Sequence, residues 1–217
     1  YLGKKVNRSW VDGQVDRISA RMELVKSFGL LNQSIVYGPD ELGLGTAPGI
    51  KMLFDEIKRR WPQTKRMGVI DWAAKPVLSA LDILVVQYQL LDRGPIAASR
   101  DAYLAAGKQV YGYHCVSPAQ NVYLNTFIDN PLAKSRLLPW FAARTNLTGW
   151  LFWYINFGWR NAPSARDSSG RLVPLQPLDR MGRSSFDAHS YMGPPGHWTN
   201  SDGNWLYPGV HGPLSSV

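Results

Sequence analysis

Cysteine is nearly absent from this sequence, since Cys115 is the single one among 217 residues. One thiol excludes a disulfide within the chain and a metal site built on several thiolates. Long hydrophobic runs are missing too, because no stretch approaches the roughly 20 apolar residues that a membrane helix requires. The most apolar segment, residues 83–86, is only long enough for a strand. We therefore expect no disulfide framework and no membrane span.

The residue patterns of metal and nucleotide sites are also lacking. The four histidines, at positions 114, 189, 197 and 211, do not have the spacing of metal ligands. No glycine-rich phosphate loop follows a strand in the required form. His114 and Cys115 are neighbours, but adjacent strand residues point to opposite faces, which disfavours a nucleophilic dyad. We therefore expect neither a metal nor a cofactor.

The formal charge of +8 does not by itself indicate a nucleic-acid partner. Nucleic-acid binding would call for Lys and Arg clustered with stacking aromatics. Here the basic residues are spread over helices and loops, as at residues 4–5, 58–60 and 65–66. Solvated helix faces explain most of this charge, and an anionic glycan or membrane surface is the alternative. We expect no nucleic-acid partner.

Three Asn-X-Ser/Thr triplets begin at Asn7, Asn32 and Asn146. Such triplets are acceptors for N-glycosylation only in a eukaryotic secretory route, and they also arise by chance. The three asparagines are candidate glycosylation sites. As a separate expectation, the location is secreted or extracytoplasmic.

Apolar residues recur with two different periods along the first 156 residues. Short apolar runs predict strands at 34–37, 67–71, 82–88, 109–115 and 149–155. Spacings of three and four predict helices at 11–28, at 48–60, at 96–106 and after Asn130-Pro131. The segment 72–81 has room for a small helix at most. After Asn156 the sequence is rich in Gly, Pro, Ser and Trp, and no period survives.

This alternation predicts an α/β fold with a parallel sheet covered on both faces. A (β/α)8 TIM-type barrel needs eight strands, and five are present. We predict that residues 1–156 form the C-terminal part of such a barrel, about five βα units holding strands 4–8. A long loop-rich segment, 157–217, should pack on the same domain. The missing strands would come from an upstream segment or another chain, and residues 1–217 alone should not form a stable monomer because two strand edges stay open.

Polar and aromatic residues follow every predicted strand, where the functional residues of such barrels lie. The residues in question are Asp40, Glu41, Asp71, Trp72, Gln87, Tyr88, Gln89, His114, Cys115, Tyr154 and Asn156. Their convergence predicts a pocket for a polar ligand. The alternative is that strand ends simply meet water, with Asp40 as a helix cap and Glu41 as an exposed neighbour.

Two adjacent carboxyl groups at one strand end suit the cleavage of a glycosidic bond. That reaction needs a proton for the leaving oxygen and stabilisation of positive charge at the anomeric carbon. A carboxyl can donate at neutral pH when burial or a negative neighbour raises its pKa. Nine Trp and ten Tyr also suit stacking on sugar rings, although on composition alone core packing is the better explanation.

Several segments resemble the catalytic domain of glycoside hydrolase family 123 and its relatives of uncharacterised function. They are residues 37–41 (YGPDE), 111–115 (YGYHC), 125–129 (NTFID), 136–140 (RLLPW), 149–156 (GWLFWYIN) and 202–209 (DGNWLYPG). Each motif is short, but together they occur in the family's order and span most of the chain.

The resemblance implies a retaining glycosidase that removes terminal β-linked N-acetylgalactosamine, or a related N-acetylhexosamine, by substrate-assisted catalysis. It implies that Glu41 is the general acid/base and that Asp40 orients the acetamido N–H of the sugar. Trp153 and Tyr154 would shape the floor of the pocket, and Asp202 would reach a sugar hydroxyl. The predicted substrate-binding residues are thus Tyr37, Asp71, Trp72, Gln87, Tyr88, His114, Trp153, Tyr154, Asn156 and Asp202. The alternative is a catalytically inactive barrel that serves as a structural or glycan-binding glycoprotein.

Overall fold

The computed structural model describes the larger part of the chain. The described residues are 7–38, 47–69, 75–91, 94–115, 117–118, 123–127, 130–155, 165–166, 172–173, 205–208 and 213–215. The helices are α1 (Arg8–Ser27), α2 (Ala47–Arg60), α3 (Lys75–Leu78), α4 (Pro95–Ala105) and α5 (Leu132–Arg144), with 3₁₀ helices at Leu31–Gln33 and Tyr88–Leu91. The strands are β1 (Ile35–Tyr37), β2 (Lys65–Val69), β3 (Ile83–Gln87), β4 (Gln109–His114), β5 (Gly149–Phe152), β6 (Ala165–Arg166), β7 (Leu172–Val173), β8 (Leu206–Pro208) and β9 (Pro213–Ser215).

The first five strands form one parallel sheet in the order β1-β2-β3-β4-β5. Tyr37 of β1 lies beside Met67 of β2, which in turn lies beside Ile83 of β3. In a (β/α) barrel, strands that follow one another in the sequence lie side by side, run parallel and are joined by helices. The prediction of an α/β fold containing part of such a barrel is confirmed.

The chain divides into two compact units. The first unit holds Tyr1–Gly112 and Thr145–Trp150, and the second holds Tyr113–Arg144 and Leu151–Val217. Among the described residues, none of the helices has the length and apolarity that crossing a bilayer requires.

Several predicted boundaries need correction. Strand β2 begins at Lys65, two residues before the predicted start, and β5 ends at Phe152, three residues before the predicted end. Inside the predicted loop-rich segment, β6 pairs with β7 and β8 pairs with β9, both antiparallel. Strands of two or three residues are too short to show a period in the sequence, and for this reason they were missed.

Helices α1 and α2 pack through apolar faces that the sequence predicts. The side-chain oxygen of Asn7 caps α1 by accepting a hydrogen bond from the Trp10 backbone amide at 3.0 Å. Just after the helix, Gly29 has a φ of 71°, the left-handed conformation that commonly ends helices. The buried residues of the two helices are Val11, Val15, Met22, Ile50, Leu53, Phe54 and Ile57. Burying each such side chain contributes roughly 1.5–3 kcal/mol, so this packing is the main stabilising contact of the two helices.

A buried carboxylate, Glu56, joins the charged surfaces of α1 and α2. It accepts hydrogen bonds from Arg59 at 2.6 Å and from Arg60 at 3.0 Å, and its other oxygen lies 3.3 Å from Arg8 of α1. The hydrogen bonds from Arg59, and then those from Arg60 and the nearby positive charges, outweigh burial and lower the pKa of Glu56 to about 2. Glu56 therefore stays ionised at neutral pH and acts as a structural anion.

The N-terminal edge of the sheet is fixed by an ion pair. Asp82, just before β3, accepts hydrogen bonds from the Arg66 backbone amide at 2.9 Å and from Arg66 Nε at 2.8 Å. The Asp82 amide donates in return to the Arg66 carbonyl at 2.9 Å. Burial alone would raise the pKa of Asp82, but the hydrogen bonds and charge of Arg66 lower it below its usual value. This reciprocal pairing fixes the register of β2 against β3.

On the helix-facing side of the sheet, two glycines leave space for a phenylalanine ring. Gly38 follows β1 and donates its amide to the Met67 carbonyl at 2.7 Å, which places it beside Gly68 of β2. The ring of Phe54, from α2, fills the space. A Cβ atom on Gly38 would lie 2.1 Å from its Cζ, and one on Gly68 would lie 3.6 Å from the same atom. We call Gly38, Gly68 and the Phe54 ring the glycine notch.

We expect Gly38→Ala to lower the free energy of unfolding by about 1–3 kcal/mol, the range for overpacking a buried contact. The added methyl group would overlap the ring of Phe54, which is fully buried and cannot move into solvent. Equilibrium denaturation in urea measures the change.

Gly68→Ala is the matched control, because its Cβ would meet its nearest neighbour, Leu81 Cδ2, only at 3.2 Å. It should cost clearly less than Gly38→Ala. Adding Phe54→Leu to Gly38→Ala should recover part of the loss, since the smaller side chain makes room for the methyl group. Equal effects of the two alanines, with no recovery, would refute the notch.

Candidate functional site

In the first unit, three of the predicted site residues lie at the carboxyl ends of strands. Tyr37 is the last residue of β1 and is 44% exposed. Gln87 ends β3 and its Oε1 accepts a hydrogen bond from Gln89 Nε2 at 2.5 Å. Tyr88 comes next but is 1% exposed, and its ring lies 5.5 Å from that of Trp150. Tyr37 and Gln87 therefore stand at the sheet edge where the sequence predicts a pocket, while Tyr88 belongs to the core beneath it.

Six predicted site residues lie outside the described residues. They are Asp40, Glu41, Asp71, Trp72, Asn156 and Asp202. Their roles stay predictions. Asp40 and Glu41 follow Gly38 by two and three positions, so the glycine notch fixes the chain just before them.

Each of the seven carboxylates in the described part of the chain forms an ion pair with a Lys or Arg side chain. These are Asp12, Asp16, Glu23, Asp55, Glu56, Asp82 and Asp101, which pair with Arg8, Arg60, Lys26, Lys51, Arg59, Arg66 and Arg100 respectively. Asp82 lies at the N-terminal edge of the sheet, opposite to the edge that carries catalysis in such barrels, and the other six lie on α1, α2 and α4.

Three of these described carboxylates have a shifted pKa, and in each of them the shift is downward. The hydrogen bond from Trp61 is the largest cause that lowers the pKa of Glu23, and the pKa values of Glu56 and Asp82 are lowered as described above. A carboxyl that donates a proton near neutral pH must resist ionisation. Glu23, Glu56 and Asp82 therefore act as structural charges.

In the second unit, the buried side chain of His114 is part of an aromatic cluster. It ends β4, is 0% exposed, and its Nε2 is 2.9 Å from Thr126 Oγ1. Its ring lies 4.8 Å from that of Phe152 and 6.3 Å from that of Trp205. Phe152 and Trp205 stack on each other at 4.3 Å with their planes 9° apart. We call His114, Thr126, Phe152 and Trp205 the aromatic cluster.

Thr126 connects the polar atoms of the aromatic cluster. Its hydroxyl oxygen accepts a hydrogen bond from Trp205 Nε1 at 3.2 Å, because an indole N–H can only donate. Burial lowers the pKa of His114 to about 3, so the imidazole is neutral at ordinary pH. Because the imidazole is neutral, it can be buried and pack against the neighbouring rings.

The predicted aromatic pair Trp153–Tyr154 directly follows β5 in this unit. Their ring centroids are 5.9 Å apart with the planes tilted by 58°, and Tyr154 is 39% exposed. The carbonyl of Ile155 accepts the backbone amides of Trp205 at 3.0 Å and of Leu206 at 2.9 Å. The segment that contains Trp205 is thus joined to the chain on both sides of the aromatic pair.

Sequence reasoning missed Thr126, Phe152 and Trp205 as members of a site. Thr126 and Trp205 are 79 positions apart, and no spacing rule connects residues at that distance. The motifs at 125–129, 149–156 and 202–209 contained all three residues, but only the fold brings them together.

The described residues show no group of three His, Cys, Asp or Glu side chains that could hold a metal ion. The three candidate glycosylation sites Asn7, Asn32 and Asn146 are all exposed to solvent. Asn7 also uses its side-chain oxygen as the cap of α1.

Two comparisons with known proteins agree with this fold. A sequence profile described as "Glycoside hydrolase 123, catalytic domain" matches residues 51–217, a range that begins after Asp40 and Glu41. Among solved structures, a similar chain is a family 123 glycoside hydrolase from Clostridium perfringens, described in work on glycolipid glycan hydrolysis. The two are 14% identical, and the match covers 97% of this chain and 31% of that chain with a TM-score of 0.64. At this identity the likeness shows the fold. No protein of curated function matches the sequence.

We expect the protein to lose stability as the pH falls from about 6.5 to about 4.5, because His114 must stay neutral to remain buried. The unfolded state binds a proton at an ordinary pKa of about 6.5, whereas the folded state resists it down to about 3. Stability is therefore fully present above pH ~6.5, and each lower unit removes up to about 1.4 kcal/mol. Urea denaturation at several pH values in this window measures the slope.

His114→Gln lacks the titrating group and should reduce the slope. Equal slopes in both proteins would contradict the expectation.

Proposed function

Because the chain belongs to the glycoside hydrolase 123 family, we propose that it serves in the hydrolysis of terminal β-linked N-acetylgalactosamine, or a related N-acetylhexosamine, from glycans. The observation that carries the proposal is the family match over residues 51–217. The chain spans 31% of the matched hydrolase, so the proposal concerns the part that this chain contributes to the activity.

The proposed mechanism is retaining and uses the substrate's own acetamido group as nucleophile. The acetamido oxygen bonds to the anomeric carbon while the glycosidic C–O bond breaks, and Glu41 gives its proton to the leaving oxygen. Water then attacks the anomeric carbon of the oxazoline-like intermediate, the bond from that carbon to the acetamido oxygen breaks, and the Glu41 carboxylate takes up the proton of the water. Asp40 accepts a hydrogen bond from the acetamido N–H, which makes the acetamido oxygen a better nucleophile.

The described carboxylates support the choice of Asp40 and Glu41 indirectly. All seven are paired with cations, away from the carboxyl ends of the strands, and none with a shifted pKa is shifted upward. These pairings support the proposal that the acid is a carboxyl outside the described residues. Asp40 and Glu41 follow β1 at its carboxyl end, where barrels of this type carry their functional residues.

The pair Trp153–Tyr154 is the proposed stacking surface for the sugar ring. Aromatic faces bury the apolar face of a sugar, and a tilted pair with one partly exposed member offers such a face. The pair would serve equally in a protein that binds glycans without cleaving them, which is the second candidate. The exposed Asn7, Asn32 and Asn146 support the accompanying proposal of a secreted or extracytoplasmic location.

We expect Glu41→Gln to lower kcat for an aryl β-N-acetylgalactosaminide by roughly 10²–10⁴-fold, the range for loss of a general acid. The amide has nearly the same volume but no ionisable proton. Glu23→Gln makes the same chemical change on the surface of α1 and should leave kcat unchanged. Release of the chromogenic aglycone measures both rates. Activity of Glu41→Gln within a few-fold of the parent would remove Glu41 from this role, and no turnover by the parent would favour the glycan-binding candidate.

We expect Asp40→Asn to slow the same substrate by roughly 10²–10³-fold, the range for losing one preorganised electrostatic contact. A thiazoline analogue of N-acetylgalactosamine should inhibit the parent competitively, because it resembles the oxazoline-like intermediate. Asp101→Asn, on α4, is the matched control for the rate. Trapping of a covalent sugar–protein adduct by mass spectrometry would show instead that the protein supplies the nucleophile.

A further inference from the structure

We infer that Trp205 is a positioning residue that fixes Trp153 and Tyr154 in the orientation that contacts the sugar ring. The inference rests on the proposed function, because it assigns a role to a residue that supports the proposed stacking surface. The contacts that carry it are all within the second unit.

The first contact lies on the N-terminal side of the aromatic pair. Phe152, the last residue of β5, stacks face to face on the indole of Trp205 at 4.3 Å. His114 lies against Phe152 at 4.8 Å and is fully buried, so Phe152 contacts two other packed rings. The position of the chain just before Trp153 is therefore set by three packed aromatic rings.

The second contact lies on the C-terminal side. The Ile155 carbonyl accepts two backbone amides, from Trp205 at 3.0 Å and from Leu206 at 2.9 Å. Residues 153–155 lie beyond the end of β5, so the described sheet does not fix them. Trp205 thus holds residue 152 through its ring and residue 155 through its backbone, and Trp153 and Tyr154 lie between these two points.

The third contact determines how the indole itself is oriented. Trp205 Nε1 donates to Thr126 Oγ1 at 3.2 Å, and the same oxygen lies 2.9 Å from His114 Nε2. Even partial burial makes an indole N–H without an acceptor costly, so this hydrogen bond favours one orientation of the ring. Trp205 supplies an apolar face for Phe152 and a polar atom for Thr126, and neither leucine nor phenylalanine can supply both.

A residue that acts by positioning a binding surface should alter affinity more than the chemical step. We expect Trp205→Leu to raise KM for an aryl β-N-acetylgalactosaminide by roughly tenfold, equivalent to about 1.4 kcal/mol of binding free energy, with kcat within about twofold of the parent. Trp205→Phe keeps a stacking ring but lacks the donor to Thr126, so its KM should lie between those of the parent and Trp205→Leu.

The matched control is Trp140→Leu. Trp140 is on α5 in the same unit and is 75% exposed, so the same substitution there should leave KM unchanged. Binding of a β-N-acetylgalactosamine-terminated oligosaccharide to the Glu41→Gln protein, with and without Trp205→Leu, separates affinity from turnover. The dissociation constant should rise by the same factor as KM.

The possible results separate this inference from the proposed function. A parent-like KM and dissociation constant for Trp205→Leu, in a protein that Glu41→Gln inactivates, would overturn the positioning role alone. A fall in kcat with unchanged KM would overturn it as well. If Trp205→Leu does not fold, the KM of Trp205→Phe decides, and a parent value refutes the role. A parent that neither cleaves nor binds the sugar would refute the proposed function and this inference with it.

Discussion

The packing of the Phe54 ring against Gly38 and Gly68 is the contact on which the rest of the first unit depends. Helix α2 lies close to strand β2 and to the residue after β1 because Gly68 and Gly38, at these two positions, have no side chains. That approach seats α2 on the sheet and sets the direction in which the chain leaves β1. Interiors are packed as densely as organic crystals, so such a fit allows little displacement.

Charge and aromatic packing serve different parts of the molecule. In the first unit, arginines lower the pKa values of Glu56 and Asp82 and keep both carboxylates ionised. As anions, these two residues hold neighbouring helices or strands together through ion pairs. Asp82 does so at the N-terminal edge of the sheet. In a barrel, residues at that edge usually stabilise the fold and do not take part in catalysis. In the second unit the stabilising contacts are rings around His114, whose burial keeps it uncharged. Acid should therefore weaken the packing around His114, because the folded second unit resists protonation of this buried ring.

The aromatic cluster also shows how a loop-rich segment can support the proposed stacking surface. Trp205 is separated by about fifty residues of sequence from Ile155, yet its backbone amide lies 3.0 Å from that residue's carbonyl. Holding a binding surface from two sides reduces the conformational freedom that the surface must lose on binding. An aromatic pair located beyond the last hydrogen-bonded residue of β5 needs such support, and the packed ring of Phe152 provides half of it.

The sequence by itself determined the fold class, the family and most of the elements. Apolar periods locate α1 and α2, the Ile83–Val86 run locates β3, and the motif order indicates family 123, because these signals depend only on neighbours along the chain. It could not locate the short strands after Asn156, nor the pairing of Trp205 with Thr126 and Phe152, because such contacts join residues far apart in sequence and leave no period. It offered His114 as a substrate-binding residue on the ground that it ends a strand. Only the tertiary structure decided that this side chain is enclosed by other rings, since burial depends on what packs above a residue and not on its place in a motif.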